Sequence, residues 1–223
     1  MNMSSVFFRL CFLALLTFGF CSHALAQDPL RFQKEVDEIR TKYPPSERRE
    51  DLILFTGSSS IKMWKDLHSY FPHHEVINAG FGGSQTFELL HYVNELILDY
   101  KPKKVFIYEG DNDISSGKSS VQILLSMHEL VETIHEDLPD TEILLISAKP
   151  SISRWHLADQ YKDLNQHFEE YSKLFDYVEY VNVWDIMLDM DGKPRADIFL
   201  EDKLHMNNKG YDLWAEVVKS HMD

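Results

Sequence analysis

The chain has 223 residues, enough for one domain with a sizeable core, and its 44% hydrophobic and 26% charged content is ordinary for a globular protein. The formal net charge of −14 argues against a nucleic-acid partner, whose phosphates it would repel.

Residues 1–26 differ from the rest. Arg9 is their one charged residue, L-C-F-L-A-L-L-T-F-G-F (10–20) is an apolar core, and A-L-A (24–26) has the small-residue spacing that signal peptidase accepts. The segment reads as a secretory signal cleaved before Gln27. Its apolar run is too short to span a bilayer well. Phe20 is too bulky a neighbour for Cys21 to become a lipidated cysteine. Both cysteines, Cys11 and Cys21, fall inside the signal, so the domain expected over 27–223 has neither thiol chemistry nor a disulfide. The expected location is the periplasm or the exterior of the cell, with no stable membrane insertion after cleavage.

Apolar Phe32, Val36 and Ile39 predict a helix over 31–42, stopped by Pro44 and Pro45. L-I-L-F-T (52–56) is a continuous apolar run, as expected of a strand buried on both faces. An amphipathic helix follows over 61–71, then a strand at 75–79 that ends in the loop G-F-G-G-S. Further on come a helix at 85–99, a strand at 104–109 with the loop G-D-N-D (110–113), and a helix at 119–137. A fourth strand (141–147) leads into A-K-P-S-I-S-R-W (148–155), a helix at 157–175, a fifth strand at 177–182 and a last helix at 207–221. The alternation predicts an α/β protein, a single-domain flavodoxin-like three-layer α/β/α sandwich around a parallel sheet of about five strands. Ligands bind beyond the carboxyl ends of such strands, so the loops there carry the functional reading.

Four of these segments form a set: G-S-S-S after the first strand, N-A-G-F-G-G-S after the second, G-D-N-D after the third, and D-K-L-H (202–205) before the last helix. Singly they are weak. Ser59 alone reads as a helix N-cap. G-F-G-G does not complete a dinucleotide loop, because no glycine recurs between Gly83 and Gly110. D-N-D-I-S-S-G (111–117) lacks EF-hand spacing. The G-x-S-x-G elbow of α/β-hydrolases is absent, since Ile61 holds its last position.

Together, and in this order, the blocks resemble the SGNH hydrolases, or GDSL-type esterases, over residues 51–215. The resemblance implies a catalytic serine at Ser59, with Asp202 and His205 completing the triad. It implies an oxyanion hole from Ser59, Gly83 and Asn112, and no metal or organic cofactor. One position departs from the pattern: Ser58 stands where the family usually has Asp.

The chemistry is coherent on its own terms. A serine hydroxyl needs a base within hydrogen-bond reach, which His205 supplies. Asp202, three residues earlier, fixes the imidazole tautomer from the same turn. Ser59 opens a helix whose N-terminus adds a field favouring the anion. Trp64, Phe81, Arg154 and Trp155 are the candidate pocket wall. The absence of a long lid insertion favours a short acyl group, and an aromatic wall suits a sugar ring. The expected activity is therefore a serine esterase acting on a small-molecule or carbohydrate ester, such as an acetylated sugar. A lysophospholipase-like lipid esterase is the alternative within the class. A non-catalytic binding module of the same fold is the alternative outside it, with Ser58 as its one foothold.

Overall fold

Continuous apolar runs must be covered on both faces, and three of the protein's five strands are runs of this kind. The computed structural model describes residues 28–46 and 49–222, so the signal-peptide reading of 1–26 lies outside the described residues. The strands are β1 (Ile53–Gly57), β2 (Val76–Gly80), β3 (Lys104–Tyr108), β4 (Glu142–Ile146) and β5 (Val178–Val181). They pair in parallel in the order β2-β1-β3-β4-β5, each bound within one residue of its expected limits.

In chain order the helices are α1 (Gln33–Lys42), α2 (Ser59–Lys62), α3 (Leu67–Tyr70), α4 (Thr86–His91) and α5 (Val93–Leu96). There follow α6 (Asp111–Ser115), α7 (Ser120–Asp137), α8 (Ala158–Ser172) and α9 (Asn208–Lys219). Strand side chains alternate between two cores. Leu54, Ile77, Val105, Ile107, Ile143 and Leu145 pack under α1, α4, α5, α7 and α8. Ile53, Phe55, Phe106, Tyr108, Leu144 and Ile146 pack under α2, α3 and α9. The result is a three-layer α/β/α sandwich of flavodoxin-like strand order. No helix among the described residues is long and apolar enough to cross a membrane.

Two expected helices are broken. The 61–71 segment splits into α2 and α3, because the Asn78 amide donates to the carbonyls of Ile61 (2.6 Å) and Trp64 (3.0 Å), which a continuous helix would use itself. The 85–99 segment forms α4, α5 and a 3-10 turn at Leu98–Tyr100. The G-D-N-D block is not wholly a loop, since α6 begins at Asp111 after Gly110 takes a left-handed φ of +104°.

Helix starts follow local chemistry. Ser119 and Gln122 form a reciprocal capping box at α7. The Asn207 side chain accepts from the N–H groups of Lys209 (2.9 Å) and Gly210 (3.3 Å) at α9. That cap fixes the chain two residues after His205.

Candidate active site

The carboxyl ends of β1, β2, β3 and β4 and the segment before α9 surround a cleft of about 320 Å³. Its lining includes Ser59, Gly83, Asn112, Arg154 and His205, with Ser60, Gly82, Asp111, Lys149 and Leu204. β1 delivers Ser59 by a tight turn at Gly57, whose φ is +114°. A Cβ at Gly57 would sit 2.0 Å from the Tyr108 carbonyl oxygen, so only glycine fits.

Ser59 Oγ lies 3.0 Å from His205 Nε2, and His205 Nδ1 lies 2.6 Å from Asp202 Oδ2. Asp202 Oδ1 accepts from the N–H groups of Leu204 and His205, each at 2.9 Å. Burial pushes the Asp202 carboxyl up, but the bonds from the His205 ring and these two N–H groups outweigh it and bring it to about 2. An ionised Asp202 places the imidazole proton on Nδ1 and leaves Nε2 as an acceptor toward Ser59.

The Asp202–His205 turn is pinned from several sides. Phe199 and Met206 form an antiparallel bridge at its ends. Ser153 N–H donates to the Lys203 carbonyl at 3.1 Å. The Lys149 ammonium donates to the Leu204 carbonyl at 2.8 Å. Lys149 is buried, and burial pulls its pKa down to about 8, partly offset by Asp111 and Asp202.

Three candidate donors belong to residues that line this cleft: Ser59, Gly83 and Asn112. The N–H groups of Ser59 and Gly83 have no protein acceptor among the described residues. Asn112 Nδ2 donates one hydrogen to the Ser84 carbonyl (2.9 Å), and its Oδ1 accepts from Arg154 at 3.0 Å. These partners fix the amide orientation, because Arg154 can only donate. Behind it, Ser84 Oγ bonds the buried Glu109 carboxyl, which burial and the nearby Asp113 charge push well above the ordinary range.

Four residues singled out from sequence thus share one cleft, Ser59, Gly83, Asn112 and His205, and Asp202 reaches it through its bond to the His205 ring. Arg154 joins them as the partner of Asn112. The other wall candidates do not. Trp64 is 1% exposed, in the core under α9 against Phe55, Tyr211 and Trp214. Phe81 is fully buried against Phe32 and Tyr92 on the other side of the sheet. Trp155 stacks on Trp184 with ring centroids 6.0 Å apart, away from the cleft lining. Proximity to a motif in sequence did not separate wall from core. The helix expected after Ser59 is only four residues long, so its dipole adds little beyond its exposed N–H groups. Ser58 Oγ is buried with no hydrogen-bond partner among the described residues. Lys149 and Asp111 were not singled out, although Lys149 lies in the loop after β4 and Asp111 opens α6 just after β3.

The model of the GDSL-like lipase/acylhydrolase family matches residues 56–213, more than half of the chain. The chain belongs to this family. As a GDSL-like acylhydrolase it is a carboxylic ester hydrolase. Among curated proteins, none shows significant sequence similarity. Solved structures agree on the fold. A Streptococcus pneumonia protein named for platelet activating factor is similar over 100% of both chains, at 22% identity and a TM-score of 0.77. A GDSL-like lipase from Bacteroides thetaiotaomicron is similar over 87% of this chain and 97% of its own, at 19% identity and a TM-score of 0.69. An acetylxylan esterase from Geobacillus stearothermophilus is similar over 79% of this chain and 95% of its own, at 13% identity and a TM-score of 0.65.

Proposed function

We propose that this GDSL-like acylhydrolase is a serine esterase that removes short acyl groups, such as acetyl on a carbohydrate, through an acyl-enzyme on Ser59. The observation that carries the reading is the continuous relay from Ser59 Oγ through His205 to Asp202, at 3.0 and 2.6 Å. Ser59 Oγ attacks the ester carbonyl while its proton passes to His205 Nε2. The N–H groups of Ser59 and Gly83 and the second amide hydrogen of Asn112 receive the developing oxyanion. His205 then gives its proton to the leaving alcohol, and the acyl group stays on Ser59. Water repeats the sequence with His205 again as base, releasing the acid.

Cleft size and lining support a short acyl group and a polar alcohol. Among the lining residues Leu204 is the one aliphatic side chain, and Asn112 and Arg154 bring polar groups to the cleft. A long alkyl chain would need an apolar channel. The likeness in fold to an acetylxylan esterase is compatible with this substrate class. We further propose that the domain from residue 27 works after export, which N-terminal sequencing of cell fractions tests.

The test compares initial rates of p-nitrophenyl acetate hydrolysis by the chain from residue 27 with those of Ser59→Ala and His205→Ala. The parent turns over and both variants, shown folded by circular dichroism, do not. An acyl-length series and acetylated xylo-oligosaccharides follow. Faster cleavage of long-chain esters or lysophospholipids than of acetates overturns the substrate reading.

A further inference from the structure

The loop that carries Gly83 is held by the N-terminal segment of the domain. Gly82 N–H donates to Glu35 Oε1 at 2.7 Å, and the Gly83 carbonyl accepts from Arg31 Nη2 at 3.3 Å. These two bonds engage the peptide units on either side of the one that contains Gly83 N–H. The intervening unit is left to present its N–H without an internal acceptor among the described residues. The same Glu35 oxygen lies 2.7 Å from Lys62 Nζ, on α2, the helix that opens with Ser59. Glu35 therefore ties the Gly83 loop to the element bearing Ser59. Arg31 is itself anchored by two bonds to the buried Glu88 carboxylate, at 2.5 and 2.8 Å. Gly82 packs beneath this cluster, since a Cβ there would lie 3.3 Å from Lys62 Cδ.

Arg31 and Glu35 precede residue 56, where the family match begins. We infer that Glu35, supported by Arg31, is a positioning residue for the oxyanion donor Gly83 N–H, so that the segment over 29–42 is a working part of the active site. The inference rests on the reading that Ser59 is the nucleophile and Gly83 a donor. A donor set must be in place before charge develops, and a displacement of about 1 Å can cost about 10²-fold in rate. Glu35 touches no reacting atom and acts through the loop. Its removal should therefore lower kcat and spare KM.

The experiment uses the chain from residue 27 with Glu35→Met and Glu35→Ala, which remove the acceptor, and Glu35→Gln, which keeps an oxygen for Gly82 N–H. Each is checked for folding by thermal denaturation, then measured for kcat and KM on p-nitrophenyl acetate and for inhibition by phenylboronic acid, whose tetrahedral adduct mimics the oxyanion. The expected result is a fall in kcat of between about tenfold and about a hundredfold in the folded acceptor-less variants. KM stays within about threefold, phenylboronic acid affinity falls in parallel, and Glu35→Gln recovers most of the loss. Parental kcat in the folded variants, or an equal loss in Glu35→Gln, overturns the inference while Ser59→Ala remains dead. An active Ser59→Ala overturns the underlying reading as well.

Discussion

Replacing Asn112 by alanine isolates the proposed oxyanion hole from the rest of the machinery. The amide uses one hydrogen on the Ser84 carbonyl at 2.9 Å and is oriented by Arg154 at 3.0 Å, which leaves its second hydrogen for the anion. Loss of one such donor costs roughly 3–4 kcal/mol at the transition state, or about 10²–10³ in kcat. KM should barely move, because the ground-state carbonyl carries little of that charge. Two side-chain hydrogen bonds disappear, a stability cost of about 2 kcal/mol. Arg154 keeps its contacts with Asp111, so no charge is left stranded. Initial rates on p-nitrophenyl acetate, with a denaturant midpoint for each protein, give both quantities. A kcat within tenfold of the parent, or a loss carried mainly by KM, would refute the assignment of Asn112 to the oxyanion.

Gly83→Ala meets nothing within 4 Å, so its penalty comes from φ at +77° alone; a stability loss of about 1–2 kcal/mol and a reduced kcat are expected, checked by thermal melts and initial rates. Lys149 is a pH probe. Burial lowers its pKa to about 8, so the buried charge opposes folding in full below pH 8, and the penalty lifts as pH rises toward the unfolded value of 10.5. Measured by denaturant melts, the stability of the parent relative to Lys149→Met should therefore rise between pH 7 and pH 10, by up to about 3 kcal/mol; a pH-independent difference contradicts this. Trp64→Ala should cost about 3–5 kcal/mol of stability while the folded variant keeps the parental KM, since Trp64 is core and not cleft; an altered KM would return it to the pocket wall.

The central strands β1, β3 and β4 were legible because burial on both faces leaves a continuous apolar run, a signal that needs no partner information. The hydrogen-bonded arrangement of Ser59, His205 and Asp202 was legible because Asp202 and His205 share one turn and each other block closes a strand. The broken helix over 61–71 was not legible, since its break comes from Asn78, on a strand later in the chain. The wall residues failed for a related reason. Phe81 and Trp64 stand beside the motifs in sequence, but the chain just after β2 and just after α2 directs them into the two cores. Glu35 and Arg31 lay hidden because their partners are 27 to 57 residues away, and a helical Glu or Arg reads as solvated surface.

The proposed mechanism turns on a covalent bond to Ser59 Oγ. Intact-mass spectrometry of the chain, acid-quenched during turnover of p-nitrophenyl acetate and then digested, reads it directly. One added acetyl group is expected on the peptide containing Ser59, absent from Ser59→Ala and lost as substrate is exhausted. Turnover with no adduct on that peptide under conditions that trap a burst, or an adduct on another residue, would contradict it.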